Sequence, residues 1–280
     1  MIIALASLPL VFLLGALLGS FLNVCIARWP REMSVVRPRS RCPQCGHQLA
    51  WFENVPLASW LALRGRCRCC AEPISIQYPL VELLVGLGWV AAAWRFGPTM
   101  TALRVALFGT VLFGIAITDA KHYLIPDGFT VAPFFWVLLT SVTGYVFDQY
   151  SPFAAPYAAL VGACAGAGFV AIVGWLGEVF LKREAMGFGD VTLMALVGAA
   201  VGPGRAIATV FVGAALAVAA FVLAAPLLWM RRGQVQQQHE LALGPTPVSL
   251  PEVPFGVFLA PAALLTLLWG DAAMRWLLRG

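Results

Sequence analysis

Two kinds of residue in this chain have the type and spacing for chemistry: single aspartates set in apolar sequence, and cysteines in pairs. Asp190 lies in "AMGFGDVTLMALVGAAVG" (185–202), with no cation nearer than Lys182 and Arg183. Asp119 lies in "FGIAITDAKHYLIPD" (113–127). An ionised carboxylate in an apolar span is costly, so each acid is a functional candidate. Two carboxylates brought to about 3 Å cannot both ionise and share one proton. The ionised member can then take a proton from water while the protonated member polarises a carbonyl. Such a dyad hydrolyses a peptide bond with no metal and no covalent intermediate. Gly187 and Gly189, beside Asp190, would let a substrate backbone come close to the acid.

The cysteines form a second constellation. Cys42-x2-Cys45 is followed, 21 residues later, by Cys67-x2-Cys70. Two such pairs offer four thiolates for a tetrahedral Zn²⁺ site of the zinc-ribbon kind. The segment has too little apolar surface to build its own core, so metal binding would supply folding free energy. Disulfides are the alternative, and they are disfavoured if the segment is cytoplasmic. Cys69 is a spare thiol that could replace Cys70. His47 is expected to be a bystander, and Cys25 and Cys164 to be packing residues within spans.

These residues need elements to hold them. The chain of 280 residues is 61% hydrophobic and 11% charged, and long uncharged runs recur throughout. That composition predicts an all-α polytopic membrane protein. Its runs of 17 or more residues exclude the short alternating strands of a barrel. Eight spans are expected, at 3–26, 78–95, 101–118, 129–147, 155–180, 189–203, 206–229 and 255–277. The first reads as an uncleaved span, because no basic residue precedes Arg28. The chain thus divides into a first helix (1–26), a Cys-rich loop (27–77) and a membrane-embedded body (78–280) with a polar loop at 230–254. With Met1 outside, 13 of the 18 Lys and Arg fall in inside segments. The positive-inside rule then places both termini outside and the two large loops in the cytoplasm. The net charge of +5 follows from that bias and does not indicate nucleic acid.

On this map Asp119 ends the third span and Asp190 begins the sixth, both at the inner face, so two helices could bring them together. Glu82, one turn into its span, is expected to face the loop. Glu178 reads as interfacial, and Asp127, after Pro126, as a cap for the next helix. His122 is a weak candidate, since a dyad needs no imidazole. Gly198-x3-Gly202 permits close helix packing. Two other functional classes compete. One is an ion-coupled transporter with Asp119 and Asp190 as cation sites, although no paired repeat is visible. The other is a zinc-dependent docking protein whose acids are structural.

Several segments, in order, resemble one family. "GFGD" (187–190) matches the GxGD signature of polytopic aspartic proteases. "GSFLNVCIARWP" (19–30), the 42–70 cysteine segment, "ISIQYPLVE" (74–82), "DAKHYLIPD" (119–127), "GFGDVTLMALVGAAVG" (187–202) and "PFGVFLAPAA" (254–263) are together similar to the type IV prepilin peptidases. The resemblance implies a peptidase of the bacterial inner membrane. Its substrates would be type IV prepilins and the pseudopilins of type II secretion, cut after the glycine of a short basic leader at the cytoplasmic face. The family aspartates map onto Asp119 and Asp190. The resemblance also implies zinc on the tetracysteine loop and N-methylation of the new terminus using S-adenosylmethionine. Glu53, Asn54 and Pro56 are candidates for that second step by resemblance alone, and no glycine fingerprint for the cofactor is present. Thr192 and Val257 depart from the pattern, which has Lys and Pro there.

Overall fold

The computed structural model describes residues 2–147, 151–182, 186–243 and 254–279, and it is helical. Eight apolar helices form the bundle: α1 (Ile2–Arg28), α3 (Gln77–Phe96), α4 (Met100–His122), α5 (Val131–Phe147), α6 (Pro156–Leu181), α7 (Phe188–Val201), α8 (Pro203–Leu243) and α9 (Gly256–Arg279). A five-residue helix, α2 (Ala58–Ala62), lies in the cysteine segment. Among the described residues six helices are long and apolar enough to cross a membrane, while Phe188–Val201 and Gly256–Gly270 are shorter apolar stretches. The protein is therefore a multi-pass membrane protein. Large exposed side chains such as Trp94, Phe135, Tyr157 and Leu223 form its lipid-facing surface.

The helices run past several expected ends. α4 continues to His122, so Asp119 lies inside its last turn rather than beyond it. α8 extends to Leu243 through what the sequence marks as a polar loop. The physical reason is local, because "QVQQQHELAL" is rich in residues that lose little freedom in a helix. The remainder of that loop, 244–253, lies outside the described residues.

α7 decides where the site sits. Fourteen residues reach only about 21 Å, well short of the roughly 30 Å hydrocarbon layer. It does not face lipid, since α5, α6, α8 and α9 enclose it and Leu193 to Val201 are almost all buried. Its tightest neighbour is α6, and glycine makes the contact possible. A methyl group on Gly162 would strike the carbonyl oxygen of Gly198, and one on Gly198 would strike the carbonyl oxygen of Gly162. The sequence anticipated close packing along Gly198-x3-Gly202, and Gly162 is its partner.

Gly198→Ala tests this packing. The substitution gains about 1 kcal/mol in helix propensity. It loses about 1–3 kcal/mol or more to overpacking against rigid backbone. A lower melting temperature in detergent is expected. Gly168→Ala, on open space in α6, should keep or raise it. Equal melting temperatures would refute the contact.

Candidate active site and metal centre

Five helix ends meet at one end of the bundle: the C-termini of α1 and α4 and the N-termini of α3, α7 and α9. Lys121, in the last turn of α4, donates a hydrogen bond to Gln77 Oε1 at the start of α3. The cysteine segment joins α1 to α3 at this same end.

Asp119 is 5% exposed. Its carboxylate faces the N-terminus of α9, where Val257 N–H donates to Oδ2 at 3.1 Å. The amide of Gly256 adds a second donor. Helix N-termini carry unpaired N–H groups and partial positive charge, so they receive carboxylates well. Gly256 permits the approach, because a Cβ there would stand 2.9 Å from Asp119 Oδ2. Val257 is the position where the resembled pattern has Pro, a residue that could not donate this hydrogen bond.

Asp190 is in the first turn of α7 and half-buried. Its backbone N–H donates to Gly187 O at 3.1 Å, and Thr192 Oγ1 donates to Gly189 O at 3.0 Å. The charge of Asp119 acts on Asp190. Among the described residues no hydrogen bond joins the two carboxylates. Ile125 lies between their supports. A Cβ on Gly189 would stand 2.9 Å from Ile125 Cβ, and one on Gly256 would stand 3.0 Å from Ile125 Cδ1. Gly187 precedes α7 in extended conformation and is exposed. The structure therefore brings Asp119, Asp190, Gly187 and Gly189 to one region through α9 and the 123–127 turn. Sequence reasoning missed the α9 amides and Ile125. A Gly at the start of an apolar run, in "PFGV", was the available signal for the amides.

The other acids have local uses. Glu82 is buried, and its Oε2 accepts from Leu57 N–H at 2.7 Å, which ties the cysteine segment to α3 as the sequence suggested. Glu178 is exposed near the end of α6. Asp127 corrects an expectation, because its carboxylate caps nothing and only its backbone carbonyl accepts, from Thr130 N–H at 3.1 Å. Pro126 takes the capping position, which leaves the Asp127 side chain to solvent.

The four cysteines converge. Cys42 and Cys70 Sγ are 3.8 Å apart, and Cys45 and Cys67 Sγ are 3.9 Å apart. All four sulfurs lie within 4.8 Å of one another. A tetrahedral ion with bonds of about 2.3 Å needs sulfurs about 3.8 Å apart, so the cluster fits a metal ion. All seven cysteines are free, so the disulfide alternative is not the observed state. Cys69 is exposed and outside the cluster, which resolves the choice in favour of Cys70.

The cluster is built by a repeat offset by 25 residues. Cys42 N–H donates to His47 O and Leu49 N–H to Ser40 O, while Cys67 N–H donates to Glu72 O and Ile74 N–H to Gly65 O. Gly46 and Ala71 take matching left-handed positions, at φ 71° and 57°. The amides of Cys45 and Gln44 lower the Cys42 thiol to about 7 and those of Cys70 and Cys69 lower Cys67, while burial and the neighbouring thiols raise Cys45 and Cys70.

His47 is a bystander to the cluster. Its Nε2 lies 3.3 Å from Glu53 Oε2, and Glu53 Oε2 also accepts from Ala50 N–H at 2.8 Å. That amide holds the Glu53 carboxyl below the usual carboxylate range, so Glu53 braces the loop. A cavity of about 390 Å³ separates α1 from this segment, with Ser20, Arg28, Arg39, Trp51 and Asn54 in its wall. Of the three residues suggested by resemblance, Asn54 lines this cavity and Glu53 and Pro56 do not.

Comparison with known proteins gives two family matches. Residues 13–96 match the bacterial peptidase A24 N-terminal domain, and residues 106–223 match the type IV leader peptidase family. Similar curated proteins carry the name prepilin leader peptidase/N-methyltransferase. One from Stutzerimonas stutzeri is 36% identical over 95% of this chain and 94% of its own length. One from Pseudomonas aeruginosa is 35% identical over 97% and 95%. One from Myxococcus xanthus is 45% identical over 67% of this chain, and the match spans 54% of that relative. No solved structure matches the chain.

Proposed function

This chain belongs to the type IV leader peptidase family, and from that premise we propose that it cuts the leader from type IV prepilins and pseudopilins and then methylates the new N-terminus. The observation that carries the reading is the convergence of Asp119 and Asp190, with their glycines, on the helix ends around Ile125. Family membership disfavours the transporter and docking alternatives.

In the proposed mechanism Asp119 is the base. The Val257 amide at the start of α9 holds its carboxylate in place, and it takes a proton from the attacking water. Asp190 is the acid, and in its protonated form it donates toward the scissile carbonyl oxygen. The exposed extended backbone at Gly187 and the missing side chain at Gly189 admit the substrate chain. Small residues around the cut allow two backbones to approach.

The cysteine cluster would hold Zn²⁺ through Cys42, Cys45, Cys67 and Cys70 as a structural ion. For methyl transfer, the cavity between α1 and the cysteine segment fits a nucleoside-sized molecule. Trp51 offers an aromatic face, Arg39 a cation for a carboxylate, and Ser20 and Asn54 hydrogen-bonding groups. S-adenosylmethionine bound there would supply an electrophilic methyl group for the amine freed by cleavage. We place the protein in the bacterial inner membrane, with both termini outside and the site at the cytoplasmic face. The eight arginines of the 27–77 segment support that orientation.

One experiment tests both activities. The protein is co-expressed with a leader-bearing prepilin and the mass of the mature pilin N-terminus is determined. Loss of the leader plus one methyl group is expected. An intact leader would sink the peptidase, and an unmethylated product would sink the transfer step alone.

A further inference from the structure

One buried acid stands apart from the aspartate pair. Glu82, on α3, is 7% exposed. Its Oε2 accepts from Leu57 N–H at 2.7 Å, and the Ser20 hydroxyl, on α1, hydrogen-bonds to the same carboxyl. One carboxyl thus ties three segments together: α1, α3 and the turn that follows Asn54. The α1–α3 seam around it is tight. A Cβ on Gly19 would stand 2.8 Å from Glu82 Cα, so the two backbones touch there. One turn further along α1, buried Asn23 donates from Nδ2 to Tyr78 O at 3.1 Å.

The Leu57 turn needs such a tie. Leu57 is held at φ 61°, ψ −50°, a conformation that a residue with a Cβ adopts at a cost. No side chain caps α2, which begins at the next residue. A strained backbone persists where surrounding contacts impose it, and the Glu82 carboxyl supplies one. What Glu82 holds belongs to the wall of the cavity of about 390 Å³. Ser20 lines that cavity from α1, and Asn54, three residues before Leu57, lines it from the cysteine segment. Glu82 itself is not in the wall.

We propose that Glu82 is a positioning residue for methyl transfer. It sets the spacing between Ser20 and Asn54, and with it the fit of the cavity to S-adenosylmethionine, without touching the methyl donor. The proposal rests on the reading of this cavity as the donor site. A donor is oriented only by groups held in register, and a small displacement of one wall costs binding and rate together. Cleavage should not depend on this tie. The hydrogen-bond partners of Asp119 and Asp190 are on α9 and at Gly187, and they include none of Ser20, Leu57 and Glu82.

Two substitutions test the role. In E82Q the amide oxygen can still accept from Leu57 N–H while the NH₂ faces the Ser20 oxygen. In E82L neither bond forms, although the side-chain volume is nearly kept. Calorimetric titration with S-adenosylhomocysteine should show binding roughly tenfold weaker in E82L and within about threefold of wild type in E82Q. Hydrogen exchange at residues 55–58 should rise in E82L and not in E82Q. The KM for S-adenosylmethionine should rise in E82L, while prepilin cleavage and zinc content stay at the wild-type level. Equal binding by E82L and wild type overturns the proposal, as does weaker binding with unchanged exchange. Parallel loss of binding, cleavage and zinc makes Glu82 a brace of the whole segment and also overturns it. So does E82Q binding as weakly as E82L, since the effect then follows charge and not position. If wild type itself binds no S-adenosylhomocysteine, the cavity assignment fails first and the proposal falls with it.

Discussion

Asp119→Asn and Asp190→Asn should each reduce cleavage of a leader-bearing prepilin by about a thousandfold or more, because the two carboxyls act as one unit. Asparagine keeps the size and polarity of aspartate but cannot exchange a proton. At Asp119 the amide oxygen can still accept from Val257 N–H, so α9 should stay docked and the protein should insert and purify normally. That separates chemistry from folding. The rate is read from the mass of processed pilin over time, with detergent melting curves as the control. Cleavage within tenfold of wild type in either variant would remove that residue from the mechanism. The double variant discriminates further. Two residues of one catalytic unit should lose no more together than singly, whereas independent contributions would multiply.

Stripping the cysteine cluster should produce the second large effect. Between 31 and 76 the buried residues are only Cys42, Glu53, Gly65 and Cys67, far too few for an apolar core. Structural zinc sites supply about 10–16 kcal/mol of apparent binding free energy in small domains of this kind. The segment should therefore hold one zinc per chain and unfold without it. Elemental analysis of purified protein should give equimolar zinc, lost in the Cys42→Ser/Cys45→Ser variant and retained in Cys69→Ser. Limited proteolysis should become rapid between residues 32 and 76 in the double variant while the helical bundle stays intact. Resistance to protease without metal would mean that the repeat of turns is stable on its own. Zinc loss in Cys69→Ser would contradict the observed cluster.

Both effects concern residues whose chemistry can be argued from their types and spacing alone. The cysteine spacing encodes its own geometry, since a CxxC turn sets two sulfurs toward one point and two turns close a tetrahedron. The observed Sγ separations of 3.8 and 3.9 Å show the same arrangement in space. The open choice between Cys69 and Cys70 required the three-dimensional arrangement, because adjacent residues in a turn point in different directions. Asp127 misled for a similar reason. Its position after Pro126 looked like a helix cap, yet a short 3-10 turn begins there and its side chain makes no capping hydrogen bond.

The sequence by itself determined the membrane class, the apolar helices and the four clustered cysteines, and it singled out the two aspartates as candidates. Those follow from local properties: hydropathy summed over a span, the cost of a carboxylate in apolar surroundings, and the short spacing within each cysteine pair. Tertiary structure alone decided that Asp119 meets the amides of Gly256 and Val257, 137 and 138 residues further on. It likewise decided that Gly162 opens the way for Gly198, and that Glu82 reaches the amide of Leu57. Each of these pairings joins segments far apart in the chain through helix ends or backbone contact. Backbone groups are the same at every residue, so no side-chain pattern announces which amide will face which acid. Packing chooses them, and packing around a short buried helix places the two aspartates at the end of the bundle.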